Sequence, residues 1–240
     1  MTLSEKDLQQ ISAKGISPEK LEQQLNDFKK GFPFLKLEGP AAIGKGIMAP
    51  TAEDAEKYIN TWNEYKAQGR KIVKFVPASG AASRMFKDVF SFVDADYNAP
   101  TSAFEKKYFE SIKDFAFYET LDALLKEQTG KGIEALMKEG DYKSIAKAML
   151  DKEGLNYGQL PKGLLLFHNY CDGARTPMEE HLVEAALYAN SNGEADVHFT
   201  VSNEHLELFK AKVAEKADKY AEKYNIKYNI SFSEQKPSTD

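Results

Sequence analysis

Between Lys74 and Lys87 the chain reads K-F-V-P-A-S-G-A-A-S-R-M-F-K. A short apolar run through Val76 stops at Pro77 and a stretch of Ala, Ser and Gly follows. Beyond Arg84, Phe86, Val89, Phe90 and Val93 recur at helical spacing. A strand, a loop of tiny side chains and a helix start together bring a backbone close to a phosphate. Small residues leave the amide N–H groups uncovered, and a helix N-terminus adds a partial positive charge. Arg84 supplies a forked donor that matches phosphate oxygens. The spacing is not that of a Gly-Lys-Ser/Thr phosphate loop or of G-x-G-x-x-G. The same small residues also suit close helix–sheet packing, and the loop alone does not choose between the two uses.

Two further stretches carry candidate groups. In L-P-K-G-L-L-L, Lys162 stands just before an apolar run, where a lysine is either functional or a solvated turn residue. In T-P-M-E-E-H, Thr176 and Pro177 form a helix start that is a simple cap when judged by itself. His168, Cys171 and Asp172 are close in sequence, but no second Cys or His follows at ligand spacing, so they do not make a metal motif. Nor do they make a nucleophilic pair, because sequence neighbours rarely have the required geometry.

The elements that must hold these residues follow from periodicity and caps. Residues 1–70 read as an N-terminal helical segment, with starts at Ser4, at Ser17-Pro18 and at Thr51. The stripe Ala55, Tyr58, Ile59, Trp62 and Tyr65 is expected on an inner helix face, and residues 31–50 in an irregular but packed connector. Residues 71–240 read as an α/β domain with a helical insertion over about 95–158. Leu164–Phe167 is expected as a strand buried on both faces, followed by a helix from Thr176, a strand over 196–201, a helix over 202–224 and a strand over 226–232. Strands alternating with helices predict a mostly parallel, Rossmann-like sheet. The chain stops just after the last strand-like segment, so the sheet is expected to be truncated there.

The 240 residues carry a formal net charge of −5, which argues against nucleic acid as main partner. Cys171 is the single cysteine, which excludes an intramolecular disulfide and fits a reducing, cytoplasmic setting. No apolar leader and no run of about 18 apolar residues is present, so neither a signal peptide nor a membrane span is expected.

Taken together, the three stretches resemble the sugar-phosphate nucleotidyltransferases. Those enzymes carry a loop of the form L-A-A-G-x-G-T-R-L/M, then P-K, then a T-P-x-M-E-H helix start. P-A-S-G-A-A-S-R-M places Gly80 at the first glycine, Ala82 at the second, Ser83 at the threonine and Arg84 at the arginine. L-P-K places Lys162 at the lysine. V-H-F-T-V-S-N-E-H and the closing S-E-Q-K-P-S-T-D resemble the later segments that face the nucleotide base and sugar. Nearly the whole chain also resembles a family of considerably longer bacterial proteins described only as a domain of unknown function and related to those enzymes.

The resemblance implies a nucleotide-diphospho-sugar transferase fold and a uridylyltransferase-like reaction, moving a nucleotidyl group from a nucleoside triphosphate to a sugar 1-phosphate. It implies Arg84 and Lys162 as catalytic cations, Ala78, Ser79, Gly80, Ala81, Ala82 and Ser83 as the triphosphate cradle, and Gln235 for the base. It also implies a magnesium ion whose ligand lies past residue 240. Two departures keep other readings in play. Ala82 in a glycine position favours a binding protein without catalysis if that position needs φ > 0. The helical insertion and N-terminal helices could instead form an interaction module, although their aromatics suit a core better.

Overall fold

The computed structural model describes residues 3–236. They fall into two compact units, one running to Arg70 and including Gln235 and Lys236, the other spanning Lys71–Glu234.

In the first unit, α1 (Glu5–Ala13) and α3 (Ala52–Ala67) open on capping boxes, Ser4 with Asp7 and Thr51 with Asp54. Helix α2 (Pro18–Lys30) opens on Ser17 with Pro18 at its first position. Each hydroxyl accepts an N–H that the helix itself leaves orphaned. Between α2 and α3 lies only a two-residue pair, β1 (Ala42–Ile43) and β2 (Gly46–Ile47). The connector is irregular as its Gly and Pro content predicts, but it is not packed, with Phe34 and Leu35 exposed. Tyr58 and Ile59 of α3 are exposed too, and the three helices bury none of their residues. Their periodicity marks a stripe that no element of the unit covers.

In the second unit, β3 (Val73–Pro77) leads through the small-residue loop to α4 (Lys87–Asp94). The insertion follows as α5 (Ala103–Glu110), α6 (Tyr118–Thr129), α7 (Ile133–Glu139) and α8 (Tyr142–Leu150). Then come a hairpin of β4 (His168–Tyr170) and β5 (Gly173–Arg175), helix α9 (Pro177–Tyr188), β6 (Glu194–Val201), α10 (Leu206–Tyr224) and β7 (Lys227–Glu234). Strands β3, β6 and β7 form one parallel sheet in that spatial order, with Val76 beside Phe199 and Phe199 beside Phe232. The architecture is thus mixed α/β with a small parallel sheet.

Strand β6 alternates strictly. Ala195, Val197, Phe199 and Val201 are buried in one core with Met178 and Leu182 of α9 and Phe209 and Val213 of α10, while Asp196, His198 and Thr200 are half-exposed on the other face. A second core is mainly helical. It joins α4 to the insertion around Phe92, Phe109, Leu121, Ile145 and Met149, all nearly or fully inaccessible.

One expected strand is absent. Leu164–Phe167 is not buried on both faces of a sheet; Lys162–Leu164 form a 3-10 turn and the chain then runs extended into β4. Leu164 belongs to the sheet core and Leu165 to the helical core. The apolar run exists because consecutive residues enter different cores, not because they alternate across a ladder.

Candidate functional site

The β3–α4 loop makes the same crossing. Val76 and Ala78 pack in the sheet core, whereas Ala82 and Phe86 belong to the helical core. The two crossing segments lie side by side. Ala81 bridges Pro161, and the Lys162 N–H donates to the Gly80 carbonyl at 2.9 Å. The small-residue loop and the Pro-Lys stretch, some 80 residues apart in sequence, therefore meet at the seam between the cores.

Polar groups at this seam are free. The N–H groups of Ser79, Gly80, Ala81, Ser83 and Arg84 have no acceptor among the described residues. The exposed side chains of Arg84 and Lys162 have neither a hydrogen bond nor an ion pair there. Helix α4, with Phe86 at its N-cap, has no side-chain cap, like α6 and α7 and unlike α5 and α9, which open on capping boxes. A run of unsatisfied N–H donors followed by two unpaired cations can accept an anion with several oxygens.

The loop is also relaxed. Neither Gly80 nor Ala82 has a left-handed backbone; the non-glycine residues that do are Asn156, Asn192 and Asn225. Ala82 therefore carries no strain from its methyl group, which is 1% exposed in the helical core. The concern that this position requires glycine does not hold in this fold. Gly80 has open space where a Cβ would lie, so nothing in the protein itself demands glycine there.

The other sequence candidates sit elsewhere. Lys74, two residues from Val76, points to the helix-covered side of the sheet, with its ammonium 2.6 Å from Glu184. Burial disfavours its charge, but the Glu184 and Tyr188 hydrogen bonds outweigh burial and leave its pKa raised. Thr176 is a buried cap, its hydroxyl and N–H both bonded to Glu179, and has no donor to spare for a ligand. Glu179 also accepts from Tyr220 at 3.0 Å. Asp172 lies in the β4–β5 turn, bonded to Lys223 at 2.7 Å and Arg175 at 3.0 Å, and those two cations, Lys223 foremost, lower its pKa to about 2. His168 lies 3.4 Å from Glu180, and Cys171 is exposed without forming any cluster with them. Gln235 is described one residue past β7, in the other unit, while Pro237–Asp240 lie outside the described residues.

Sequence reasoning missed two arrangements. Arg175 is buried and stacks 4.0 Å over Tyr170, between Asp172 and Glu180. On the open sheet face, His198 has Ser231 Oγ and Ser233 Oγ each 2.8 Å from a ring nitrogen and stacks on Phe75. Only the period-two pattern of β6 and β7 could have placed those groups on one face.

The chain belongs to the family described as Domain of unknown function (DUF4301), whose profile matches residues 4–240. No curated protein and no solved structure matches it. Among the described residues of this DUF4301 domain, no group of three or more His, Cys, Asp or Glu is placed to hold a metal ion. The loop itself offers N–H donors and cations rather than carboxylates, so these residues do not fit a magnesium site. Among the described residues, no helix is long and apolar enough to cross a membrane.

Proposed function

We propose that the seam formed by Ser79–Arg84 and Lys162 binds the phosphates of a nucleoside triphosphate, in a nucleotidyltransferase-like protein acting on a sugar 1-phosphate. Ala78, expected in the cradle, is left out because its N–H donates to the Thr200 carbonyl at 2.7 Å. The observation that carries the binding half is the set of unsatisfied loop N–H groups in a segment that contains Arg84 and whose backbone pairs with that of Lys162, both cations being unpaired among the described residues. The transfer half rests on the resemblance of the loop, the Pro-Lys stretch and the Thr-Pro helix start to those enzymes. In the reaction, a phosphate oxygen of the sugar 1-phosphate attacks the α-phosphorus. The bond from that phosphorus to the bridging oxygen breaks, and pyrophosphate leaves with the electron pair. The N–H groups would orient the chain of phosphates, Arg84 would offset charge on the leaving pyrophosphate, and Lys162 would do so near the attacked atom.

A second reading, binding without turnover, rests on the same N–H groups and cations, which can hold phosphates without any transfer step. The full chain titrated with a panel of nucleoside triphosphates tests the first requirement. Arg84→Ala is expected to weaken binding roughly 10- to 100-fold, the loss of one or two charge-assisted hydrogen bonds. Pyrophosphate release in the presence of magnesium and sugar 1-phosphates then separates transferase from binding protein. Failure of every triphosphate to bind would overturn both.

A further inference from the structure

Beside the loop, and wholly within the Lys71–Glu234 unit, lies a cavity of about 300 Å³. That is the lower end of the volumes usual for small-molecule sites, about 300–1,000 Å³. Its wall joins the end of the loop, at Met85 and Phe86, to the insertion at Phe115–Phe117 and to Leu165–Phe167. More than half of its lining residues are aromatic, and neither Lys nor Arg is among them.

The rings pack on one another at the margin of the helical core. Phe115 and Phe117 stack at 5.0 Å, Phe117 meets Tyr157 edge-on at 5.5 Å, and Phe86 stacks on Tyr157 at 6.1 Å. The two tyrosine hydroxyls in the wall are engaged: Tyr108 donates to Met149 Sδ at 3.0 Å, and Tyr157 accepts the Leu166 N–H at 3.1 Å. The space is thus faced by π surfaces. Its single charged lining residue is Asp114, which is exposed.

Met85, Phe104, Asp114 and Phe167 in its wall are exposed, so the space is a cleft open to solvent. An apolar cleft of this size lined by aromatic side chains is the usual form of a small-molecule site. Ring faces attract flat apolar groups and cations, and a carboxylate without a counter-cation repels anions. The geometry points to a binding site for a small flat ring compound carrying no negative charge. The ring lies among Phe86, Phe115, Phe117 and Tyr157, and any cationic substituent faces Asp114. This site is chemically the opposite of the neighbouring anion-accepting seam. It does not rest on the nucleotide reading, and either can fail without the other.

Tryptamine and indole-3-acetate share one ring and differ in the sign of charge, which makes them suitable probes. Calorimetric titration of the full chain is expected to show saturable binding of tryptamine, about tenfold or more tighter than indole-3-acetate. Asp114→Asn is expected to bring the two affinities together. Ala116→Leu, which puts side-chain volume into the cavity, is expected to abolish tryptamine binding while the circular dichroism spectrum stays native. Should that variant not fold, Phe104→Ala, at a ring of the wall that is 42% exposed, is expected to weaken binding without loss of fold. The proposal is overturned by lack of saturable tryptamine binding or by equal affinity for the two probes in the unaltered chain. It is overturned equally by tryptamine affinity that cavity-lining substitutions leave unchanged.

Discussion

At the residue scale the loop separates what the protein needs from what a ligand would need. Gly80 has no positive φ, and no atom lies within 4 Å of the place a Cβ would take, so folding does not require glycine there. A phosphate held close against the neighbouring N–H groups would favour glycine, which lets a ligand approach the backbone most closely. Gly80→Ala is therefore expected to leave stability within about 0.5 kcal/mol of the original, as for an ordinary surface change. Triphosphate affinity is expected to fall with it. Unchanged affinity in a stable Gly80→Ala variant would place the phosphates elsewhere. Glu105 supplies a prediction of a different kind. It is 7% exposed, yet it accepts from the N–H groups of Thr101 and Ser102 at 2.7 and 3.0 Å and from the Tyr97 hydroxyl at 2.9 Å. Burial alone would raise its pKa; the hydrogen bonds outweigh burial and bring it from 4.5 to about 2. A carboxylate depressed in the folded state stabilises above its unfolded pKa and loses that contribution as pH falls through the folded one. Urea unfolding should show Glu105→Gln less stable by about 1–2 kcal/mol at pH 7, with the gap closing between pH 4.5 and about 2. A gap that persisted at the acid end would assign the loss to packing instead.

At the element scale, much of the molecule was legible because its signals are local. The caps at Ser4, Ser17, Thr51 and Thr176 each need only a hydroxyl and a residue three positions on, and all four are formed. Strands β6 and β7 declared themselves by β-branched and aromatic residues between turn signals. The run Leu164–Phe167 was not legible, since a short apolar stretch reads alike whether it enters one core or two. The pairing of Gly80 with Lys162 was equally hidden, because no local pattern encodes a contact between such distant segments. How Lys162 is held gives a test. The 3-10 turn that it opens packs on α10 through Gly163, where an added Cβ would lie 2.6 Å from the Phe209 ring. Phe209 is fully buried and has no room to withdraw. Gly163→Ala is expected to cost about 1–3 kcal/mol of unfolding free energy, the usual range for overpacking. Triphosphate binding should weaken as well, since Lys162 moves with the turn. A variant of full stability would mean that this turn is not what fixes the lysine.

At the scale of the whole molecule, stability is unevenly divided between the two units. No residue of α1, α2 or α3 is buried, and Phe28 of α2, Ile59 of α3 and Phe34 of the connector are exposed. What holds these helices is local: a cap contributes about 1 kcal/mol, and helices shorter than roughly 12–15 residues are marginal in water without packing. The Lys71–Glu234 unit instead closes two cores, one around Phe199 and Phe209 and the other around Ile145 and Met149, each of these side chains completely inaccessible. Local opening follows burial, so the free energy of exposing an amide should be low throughout α1–α3 and approach the global value in β6 and α8. Native-state hydrogen exchange on the full chain measures this directly. Amides in the middle of α3 are expected to exchange on the order of 100-fold faster than those of Val197 and Phe199, a difference of about 3 kcal/mol in opening free energy. The N–H groups of Ser79 to Arg84 that lack acceptors should exchange fastest within the second unit and slow when a triphosphate is added, because a bound phosphate oxygen supplies the missing acceptor. Equal protection of α3 and β6 would show that the helices gain cover in solution that the structure does not provide. Loop amides indifferent to a triphosphate that binds elsewhere would move the nucleotide site away from the seam between the cores.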